Sequence, residues 1–272
     1  MKCFYRSEEK EGYVEIVGEK SGLDLIRLGQ IRMQKGCEIT LESGEYEIGL
    51  VILSGKCNIE CNDQVFPNLG IRGSVFTGKP TTVYIPRDSR YKVAALGYGM
   101  LEVAVCKVKA DKKYEPFAIY PHQVSTANRG RLNWQRKVVD IITNKYEGKV
   151  DKIVLGETYN KPGQWSGYPP HKHDADNLPF ETAMEEVYHF RVNPGQGFGI
   201  QVIYNDQFTI NECHIVRDKD STAIKNGYHP VASAPGYQVY YLWVMAGKTG
   251  RGLAPKDDAK HAWIKAVEQM LD

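Results

Sequence analysis

Short runs of alternating apolar and polar residues, separated by turn residues, dominate the first hundred positions of the chain. Residues 57–61 (Cys-Asn-Ile-Glu-Cys) alternate strictly and end at Asn62-Asp63, and residues 81–85 are closed by Pro86. Alternation places the apolar side chains on one face of an extended strand. Closely spaced strands of this kind are typical of β-sandwiches and barrels. Because the same pattern of short alternating runs resumes near residue 152 and continues to about residue 247, the sequence predicts an all-β protein.

A weak internal repeat relates the two halves of the chain. Residues 86–100 align with residues 225–239 at an offset of 139, and Gly97-Tyr98 then meets Gly236-Tyr237. Self-similarity at a fixed offset is the mark of two similar structural units. We therefore expect two β-barrel domains and a short C-terminal helix, within residues 257–271, that begins with acidic residues. The predicted division is a first barrel over 1–125, a second barrel over 126–252 and a helical tail over 253–272.

Composition and charge exclude several classes of protein. The 35 basic and 33 acidic residues leave a net charge of +2, and there is no basic run with interleaved aromatic residues, so we expect no nucleic-acid partner. The start lacks the apolar segment of a signal peptide, and no apolar run has membrane-spanning length. The six cysteines are scattered along the chain, and we expect them to be reduced thiols. Because reduced thiols are typical of the cytoplasm, we expect the protein to be located there. A homo-oligomer is compatible with this composition.

The segment 168–174 (Tyr-Pro-Pro-His-Lys-His-Asp) carries the strongest chemical signal. In a strand, His171 and His173 project from the same face, and two imidazoles on one face are half of a metal site. A nearby acid and His229, which follows Gly227-Tyr228, would complete a set of imidazole and carboxylate ligands. The alternative is a pair of solvated surface histidines. At the repeat offset the three histidines face Arg32, Gln34 and Arg90, so only the second barrel is predicted to bind metal.

Five segments together resemble the 5-deoxy-glucuronate isomerase family of myo-inositol catabolism, a relative of the uronate isomerases of pectin breakdown. They are residues 168–174, 185–188, 197–201, 227–231 and 240–247. The resemblance implies a bicupin fold, with two jelly-roll barrels in one chain, and a divalent metal ion, which we expect to be zinc or manganese. The metal ligands it implies are His171, His173, Glu186 and His229.

The choice of carboxylate rests on the position of the acid in related cupins. Glu181 and Glu185 lie close by, but the ligand acid of those proteins directly precedes a Val-Tyr pair, as Glu186 does here. Strand parity then turns Tyr188 and Phe190 inward with Glu186, and Glu185 becomes a solvated neighbour.

The activity implied by the resemblance is an aldose–ketose isomerisation. It would convert 5-deoxy-glucuronate, a small uronate-type sugar acid, to 5-dehydro-2-deoxy-gluconate through an enediolate. The base is left open among a hydroxide on the metal, Glu186 and Tyr241. Gln201 and Arg251 are candidate substrate contacts. The alternative for Gln201 is an amide whose hydrogen bonds are satisfied within the barrel, and the alternative for Arg251 is a solvated loop arginine. Two other functions stay open: a cupin iron dioxygenase and a non-catalytic sugar-acid-binding barrel.

Overall fold

A computed structural model describes residues 3–6 and 8–271 and confirms the all-β prediction, with a single short α-helix (α1, Ile264–Met270) among the described residues. The first twelve strands are β1 (Phe4–Tyr5), β2 (Gly12–Val17), β3 (Ile26–Met33), β4 (Glu38–Glu42), β5 (Tyr46–Ser54), β6 (Lys56–Cys61), β7 (Gln64–Leu69), β8 (Thr81–Ile85), β9 (Arg90–Leu96), β10 (Leu101–Lys109), β11 (Phe117–Ile119) and β12 (Ser125–Arg129). Strands β2 to β11 form the first half, whereas β1 and β12 belong to a sheet of the second half.

The second half is built in the same way from eleven further strands. These are β13 (Arg136–Ile142), β14 (Val154–Asn160), β15 (Trp165–Ser166), β16 (His171–Lys172), β17 (Glu185–Asn193), β18 (Gly199–Tyr204), β19 (Asn211–Val216), β20 (Ser221–Ile224), β21 (Val231–Ser233), β22 (Gln238–Ala246) and β23 (Lys256–Asp257). Short 3-10 turns occur at Glu19–Ser21, Val75–Thr77, Leu132–Trp134 and Asn144–Tyr146.

Each half has a large sheet and a smaller sheet around an apolar core, and the second half has in addition the two-stranded sheet β16-β23. In the first half, the sheet β11-β8-β5-β10-β3-β2 and the sheet β4-β9-β6-β7 both contribute to one cluster that includes Leu50, Tyr91 and Val103. In the second half, the sheets β1-β20-β17-β22-β14-β13-β12 and β15-β21-β18-β19 share a cluster that includes Phe190 and Tyr241. The sheets remain separate and open rather than closing into continuous barrels.

The N-terminal strand β1 does not pair within the first half. It pairs with β20 in the large sheet of the second half, where Phe4 lies opposite Thr222. Residues 4–5 therefore lie in a sheet of the second half, while strands β2 to β11 form the first half. The division into domains at residues 125 and 252 stays a prediction.

A third apolar cluster joins the two large sheets to each other. It includes Val51 and Cys106 from the first half and Val139, Leu242 and Val244 from the second. Strands β5 and β22 are consequently covered on both faces, and nearly all of their residues are buried. Doubly covered strands read as continuous apolar runs instead of alternating ones. This arrangement accounts for the unbroken apolar stretch of β22.

Two glutamates tie the halves together in a reciprocal manner. Glu47, near the start of β5, accepts hydrogen bonds from the backbone N–H groups of residues 151–153. Glu185, at the start of β17, accepts from the backbone N–H groups of residues 24–26. Each carboxylate thus accepts hydrogen bonds from backbone N–H groups of the other half. A buried N–H group left without an acceptor would lower the stability of the fold. The prediction that Glu185 is solvated is wrong, because Glu185 is buried in this junction.

A buried ion pair also crosses between the halves. The Arg72 guanidinium donates to both carboxylate oxygens of Glu157, at 2.7 and 3.2 Å. The hydroxyls of Tyr159 and Tyr240 donate to the same carboxylate, at 2.8 and 2.9 Å. Buried charges are tolerated when they are paired and their remaining hydrogen-bonding capacity is filled, as here.

The C-terminal helix is shorter than the sequence predicts. The acidic residues expected at its start form other structures: Asp257 lies in β23, opposite His171, and Asp258 accepts a hydrogen bond from the Tyr204 hydroxyl at 2.8 Å. Turns follow, and the helix begins at Ile264. Tertiary pairing of β23 with β16 therefore overrides the local helical preference of this segment.

Candidate metal centre

His173 is fixed by a two-way backbone contact with the residue before β17. Its Nδ1 lies 2.8 Å from the carbonyl oxygen of Met184, and the Met184 N–H donates to the His173 carbonyl, also at 2.8 Å. Because a carbonyl oxygen can only accept, Nδ1 must carry the proton and donate it. The Nε2 atom is thereby turned towards the interior of the second half, in the orientation that metal-binding histidines commonly adopt.

His229 is held in the same way by the tight turn that precedes it. Its Nδ1 donates to the carbonyl oxygen of Gly227 at 2.8 Å, and the Gly227 N–H donates to Asp174 at 2.9 Å. Gly227 has a φ of +97°, and a Cβ atom there would lie 2.7 Å from the carbonyl oxygen of Tyr204. The turn therefore requires glycine, and through Asp174 it links the third histidine to the His171–His173 segment.

Glu186 joins the two imidazoles from the neighbouring strand β17. Its Oε2 atom lies 3.1 Å from Nε2 of His173 and 3.2 Å from Nε2 of His229, and all three side chains are buried. Burial opposes ionisation of Glu186, but the two imidazoles outweigh it and hold the pKa of this carboxyl at about 2. Burial likewise opposes protonation of His173, yet the hydrogen bond with Glu186 raises the pKa of that imidazole.

The polar atoms of this cluster fit a divalent cation. Nε2 of His229 is buried and has no hydrogen-bond partner, since its contact with Glu186 is close but poorly aligned. A proton shared between His173 and Glu186 leaves that nitrogen unsatisfied, whereas a cation would accept electron pairs from all three groups. The donor atoms lie within 4.8 Å of one another, and two imidazole nitrogens with one carboxylate oxygen suit zinc, manganese or iron.

His171 lies beside this group without belonging to its closest set of donors. Its ring centroid is 5.1 Å from that of His229 and 6.4 Å from that of His173. Burial, followed by the neighbouring His229 and His173, holds the pKa of His171 well below its usual range, so the ring is neutral and one of its nitrogens can donate its electron pair to a metal. Three of the four predicted ligands converge, and the fourth ring adjoins them.

An aromatic wall closes one side of the centre. The Tyr188 ring lies 6.0 Å from His229 and 4.4 Å from Tyr241. Tyr188 and Phe190 point into the core of the second half, as strand parity from Glu186 predicts. Tyr241 donates its hydroxyl to Ser166 at 2.8 Å, and burial raises the pKa of Tyr241 to about 12. At neutral pH the wall therefore presents neutral phenols.

Comparison with known proteins places the chain in a family. The model of the KduI/IolB family matches residues 2–264. The chain belongs to the KduI/IolB family. The 5-deoxy-glucuronate isomerase of Geobacillus thermodenitrificans (strain NG80-2) is 35% identical over 257 residues, 94% of this chain and 92% of that protein. The crystal structure of an IolB-like protein from Salmonella typhimurium LT2 has a TM-score of 0.91 and 32% identity, covering 97% of this chain and 100% of the other.

A more distant structure shares the fold of this KduI/IolB chain. Oxalate decarboxylase from Lactobacillus farciminis, solved as a formate complex, matches with a TM-score of 0.68 over 100% of this chain and 92% of its own. The sequence identity is only 10%, so this likeness concerns the cupin-like fold and not the chemistry.

Two residues predicted as substrate contacts have protein partners instead. The Gln201 amide is buried; it donates to the carbonyl oxygen of His229 at 2.8 Å and accepts from Thr222 at 3.3 Å. Arg251 is buried too, and donates to the carbonyl oxygens of Ile153 and Thr143 at 3.1 and 2.8 Å. The solvated alternative for Arg251 is therefore wrong. Gln201 supports the third histidine, and Arg251 ties the end of β22 to the segment before β14.

Arg136, the first residue of β13, belongs to none of the sequence motifs and was not predicted as a site residue. Arg136 lies on the same strand face as Val138, which packs against the core of the second half. Its guanidinium donates to the Tyr168 carbonyl at 3.2 Å, and no carboxylate of the described residues forms an ion pair with it. Burial lowers the pKa of Arg136, and this cation in turn contributes to the low pKa of His171. A half-buried guanidinium without an anionic partner is unusual.

A basic cleft of about 300 Å³ opens beside Arg136. Lys79, Lys137 and Lys161 line it together with the amide of Gln164, and no carboxylate contributes to its lining. The residues of the metal cluster do not line this cleft. Arg136 therefore stands between a cationic surface depression and the neighbourhood of His171.

The C-terminal tail lies against the segment that carries His171 and His173. Strand β23 pairs with β16, and the Asp258 N–H donates to the carbonyl oxygen of Pro170 at 2.8 Å. Further along, Trp134 donates its indole N–H to Glu268 at 2.5 Å. Within the described residues no helix is both long and apolar enough to cross a membrane.

Proposed function

We propose that this chain is a metal-dependent aldose–ketose isomerase that converts 5-deoxy-glucuronate to 5-dehydro-2-deoxy-gluconate. The observation that carries the proposal is the convergence of His173, Glu186 and His229 on one point, in a member of the KduI/IolB family. Its relative from Geobacillus thermodenitrificans, which aligns over nearly the whole chain, is a 5-deoxy-glucuronate isomerase. The substrate is accordingly a small sugar acid, and the proposed location is the cytoplasm.

We also propose a bicupin organisation for the chain. The first cupin would span residues 1–125 and bind no metal, the second would span residues 126–252, and the tail would follow. The pairing of a large and a small sheet in each half supports this division. The reciprocal contacts of Glu47 and Glu185 support it as well, since each half offers an equivalent carboxylate to the other.

In this proposal His171, His173, Glu186 and His229 hold a divalent cation, zinc or manganese. Such a cation would polarise the carbonyl and the neighbouring hydroxyl of the open-chain sugar and stabilise the enediolate. The chain's own contribution is to orient the donors: the carbonyl oxygens of Met184 and Gly227 hold the Nδ1 protons, so that both Nε2 atoms face the centre.

Isomerisation moves a proton from C2 to C1 of the sugar, and one group must take and return it. Glu186 is ionised at neutral pH because its pKa is about 2, whereas Tyr241, with a pKa of about 12, keeps its proton. We therefore give Tyr241 the role of a neutral hydrogen-bond donor. Glu186 stays the candidate base, acting through Oε1, because Oε2 is the oxygen that faces His173 and His229. The aromatic wall of Tyr188 and Tyr241 would keep water away from the reacting carbons.

The carboxylate of the sugar acid needs a cationic partner, and we assign this role to Arg136. Its guanidinium has free donors and no carboxylate partner among the described residues, and it lies near enough to His171 to influence that ring. Guanidinium groups bind carboxylates with two parallel hydrogen bonds. Arg251 is not used here, because its donors are already occupied by protein atoms.

The deciding experiment follows 5-deoxy-glucuronate by proton NMR in heavy water with metal-loaded protein. We expect signals of the ketose product, with deuterium at C1 to the extent that the transferred proton exchanges with solvent. Unchanged substrate in the presence of fully metal-loaded protein would refute the isomerase. Oxygen consumption with iron-loaded protein would instead identify a dioxygenase. Binding of the sugar acid without conversion would identify a non-catalytic sugar-acid-binding barrel.

A further inference from the structure

A second cluster of metal-binding side chains lies at the edge of the core of the second half, on the face of β19 that also carries the buried Val216. The Cys3 thiol donates to Glu212 at 2.7 Å, and its sulfur lies 3.2 Å from Nε2 of His214. The same Nε2 lies 2.8 Å from the Glu212 carboxylate. The three donor atoms lie within 4.8 Å of one another, and all three residues are half-buried. None of them takes part in the proposed isomerisation.

The backbone holds these side chains in place from two separate strands. Glu212 and His214 stand two residues apart on β19 and so share one face, while Cys213 between them points to the other face and is exposed. Cys3 precedes β1, and its carbonyl oxygen accepts the N–H of Ala223 at 2.8 Å. The ring of Phe4 stacks on His214, with centroids 5.4 Å apart, which limits rotation of the imidazole.

We propose that Cys3, Glu212 and His214 form a second divalent-metal site, with a preference for zinc, distinct from the centre around Glu186. A thiolate, an imidazole and a carboxylate are the three ligand types that zinc takes in proteins. Tetrahedral zinc separates such donors by about 3.3–3.6 Å, given bond lengths of about 2.0–2.3 Å. The three donors therefore need to move apart by less than about 1 Å, and water completes the tetrahedron.

Metal uptake here is a proton exchange without any redox change. The S–H bond of Cys3 breaks, a sulfur–metal bond forms, and the proton passes to the solvent. In the metal-free protein, burial and the neighbouring Glu212 raise the pKa of the Cys3 thiol to about 12, and the hydrogen bond from that thiol helps to lower the pKa of Glu212. The metal must therefore displace a proton that this thiol holds tightly, so uptake is favoured by higher pH.

The consequence for the molecule is a cross-link between the start of the chain and β19. Cys3 and Glu212 are 209 residues apart, so one ion would fasten β1 to the sheet of the second half. The ion would add to the pairing of β1 with β20, which consists of two residue pairs among the described residues.

Cobalt(II) substitution tests the site without reference to activity. The centre around Glu186 contains no sulfur ligand, so a sulfur-to-cobalt charge-transfer band in the near ultraviolet can come only from a cysteine. We expect apo full-length protein titrated with Co²⁺ to develop this band and to bind one ion more than C3S. The band should also be lost in H214Q, a variant that keeps the thiol.

Two further variants make the result decisive. C213S removes the exposed thiol of the same strand and should leave the band intact. H173A removes a ligand of the first centre and should bind less cobalt while keeping the band. The proposal is overturned if wild-type protein gives no such band, or if C213S removes it while C3S does not. Because the spectrum does not depend on turnover, a failed isomerase assay leaves this test unaffected.

Discussion

At the scale of single residues, Glu185 and Glu186 show how one step along a strand separates two roles. Glu185 faces the first half and accepts backbone N–H groups of residues 24–26. Glu186 faces the interior of its own half and meets His173 and His229. Successive side chains of a strand point to opposite faces, so neighbours of identical chemistry enter different environments. The sequence favoured Glu186 as the ligand, but it gave no reason to expect Glu185 to be buried.

This pair offers a matched test of the metal centre. E186Q should lose bound metal and reduce isomerase activity at least about 100-fold, because a neutral amide is a weak ligand. E185Q should keep both metal and activity, but lower the free energy of unfolding by about 1–3 kcal/mol as backbone donors lose a charged acceptor. Elemental analysis, turnover and urea unfolding measure these effects. Equal metal content in both variants would contradict the assignment of Glu186.

Arg136 allows the substrate carboxylate to be tested directly. R136M should raise KM for the sugar acid about 10–100-fold, as expected for loss of a charged hydrogen bond, while metal content stays unchanged. An aldehyde substrate of the same size without a carboxylate should be handled equally by wild type and R136M. R251M is the control: it should weaken the fold, with little effect on KM of the folded enzyme, because Arg251 bonds to Ile153 and Thr143. An unchanged KM in R136M would remove Arg136 from the site.

At the scale of elements, strand β13 explains why Arg136 was missed. The pattern of residues 134–142 (Trp-Gln-Arg-Lys-Val-Val-Asp-Ile-Ile) fits either a strand or a short helix, and no motif surrounds the arginine. Once β13 is known to be a strand beginning at Arg136, parity with Val138 turns the guanidinium inward. The signal was present in the sequence, but it could be read only after the type of element was settled.

The contact between β5 and the other half predicts a pH dependence of stability. Burial raises the pKa of Glu47, although the N–H groups of residues 151–153 and the Tyr84 hydroxyl oppose the shift. The folded state therefore holds this proton more tightly than the unfolded state, in which the carboxyl has its unperturbed pKa of 4.5. The stabilisation from Glu47 is complete below pH 4.5 and declines as the pH rises through the raised folded value.

The substitution E47Q should remove this part of the pH dependence. Between pH 4.5 and neutrality, the unfolding free energy of the wild type should gain less, or fall more, than that of E47Q. Urea unfolding at several pH values gives the difference, and other carboxylates cancel because both proteins contain them. Parallel pH profiles for the two proteins would show that Glu47 titrates normally in the folded state.

At the scale of the whole molecule, the two halves form one packed unit. The cluster that includes Val51 and Leu242 lies between the large sheets, and the Arg72–Glu157 pair is buried in the same junction. The metal centre is connected to this junction through β17. On that strand Glu185 contacts the first half, and the next residue, Glu186, contacts His173 in the second half.

Breaking the buried pair should destabilise the entire chain. R72M leaves the Glu157 carboxylate buried without its counter-charge, and we expect a loss of about 3–5 kcal/mol in the free energy of unfolding. The double variant R72M/E157L should recover part of that loss, because no uncompensated charge remains. The exposed pair Glu8–Lys10 provides the control, and K10M should leave the urea midpoint unchanged. A midpoint for R72M equal to the wild type would show that the pair is energetically neutral.

The sequence by itself determined the all-β class and the likeness to the 5-deoxy-glucuronate isomerase family, and it identified three histidines and Glu186 as candidate ligands. These features depend on local alternation and short motifs, which neighbouring residues carry within one strand or turn. Only the tertiary structure decided the burial of Glu185 and Arg251, the inward position of Arg136 and the meeting of Cys3 with His214. Those placements depend on which distant strands pair, and the free energy of such pairing is set by the packing of whole sheets.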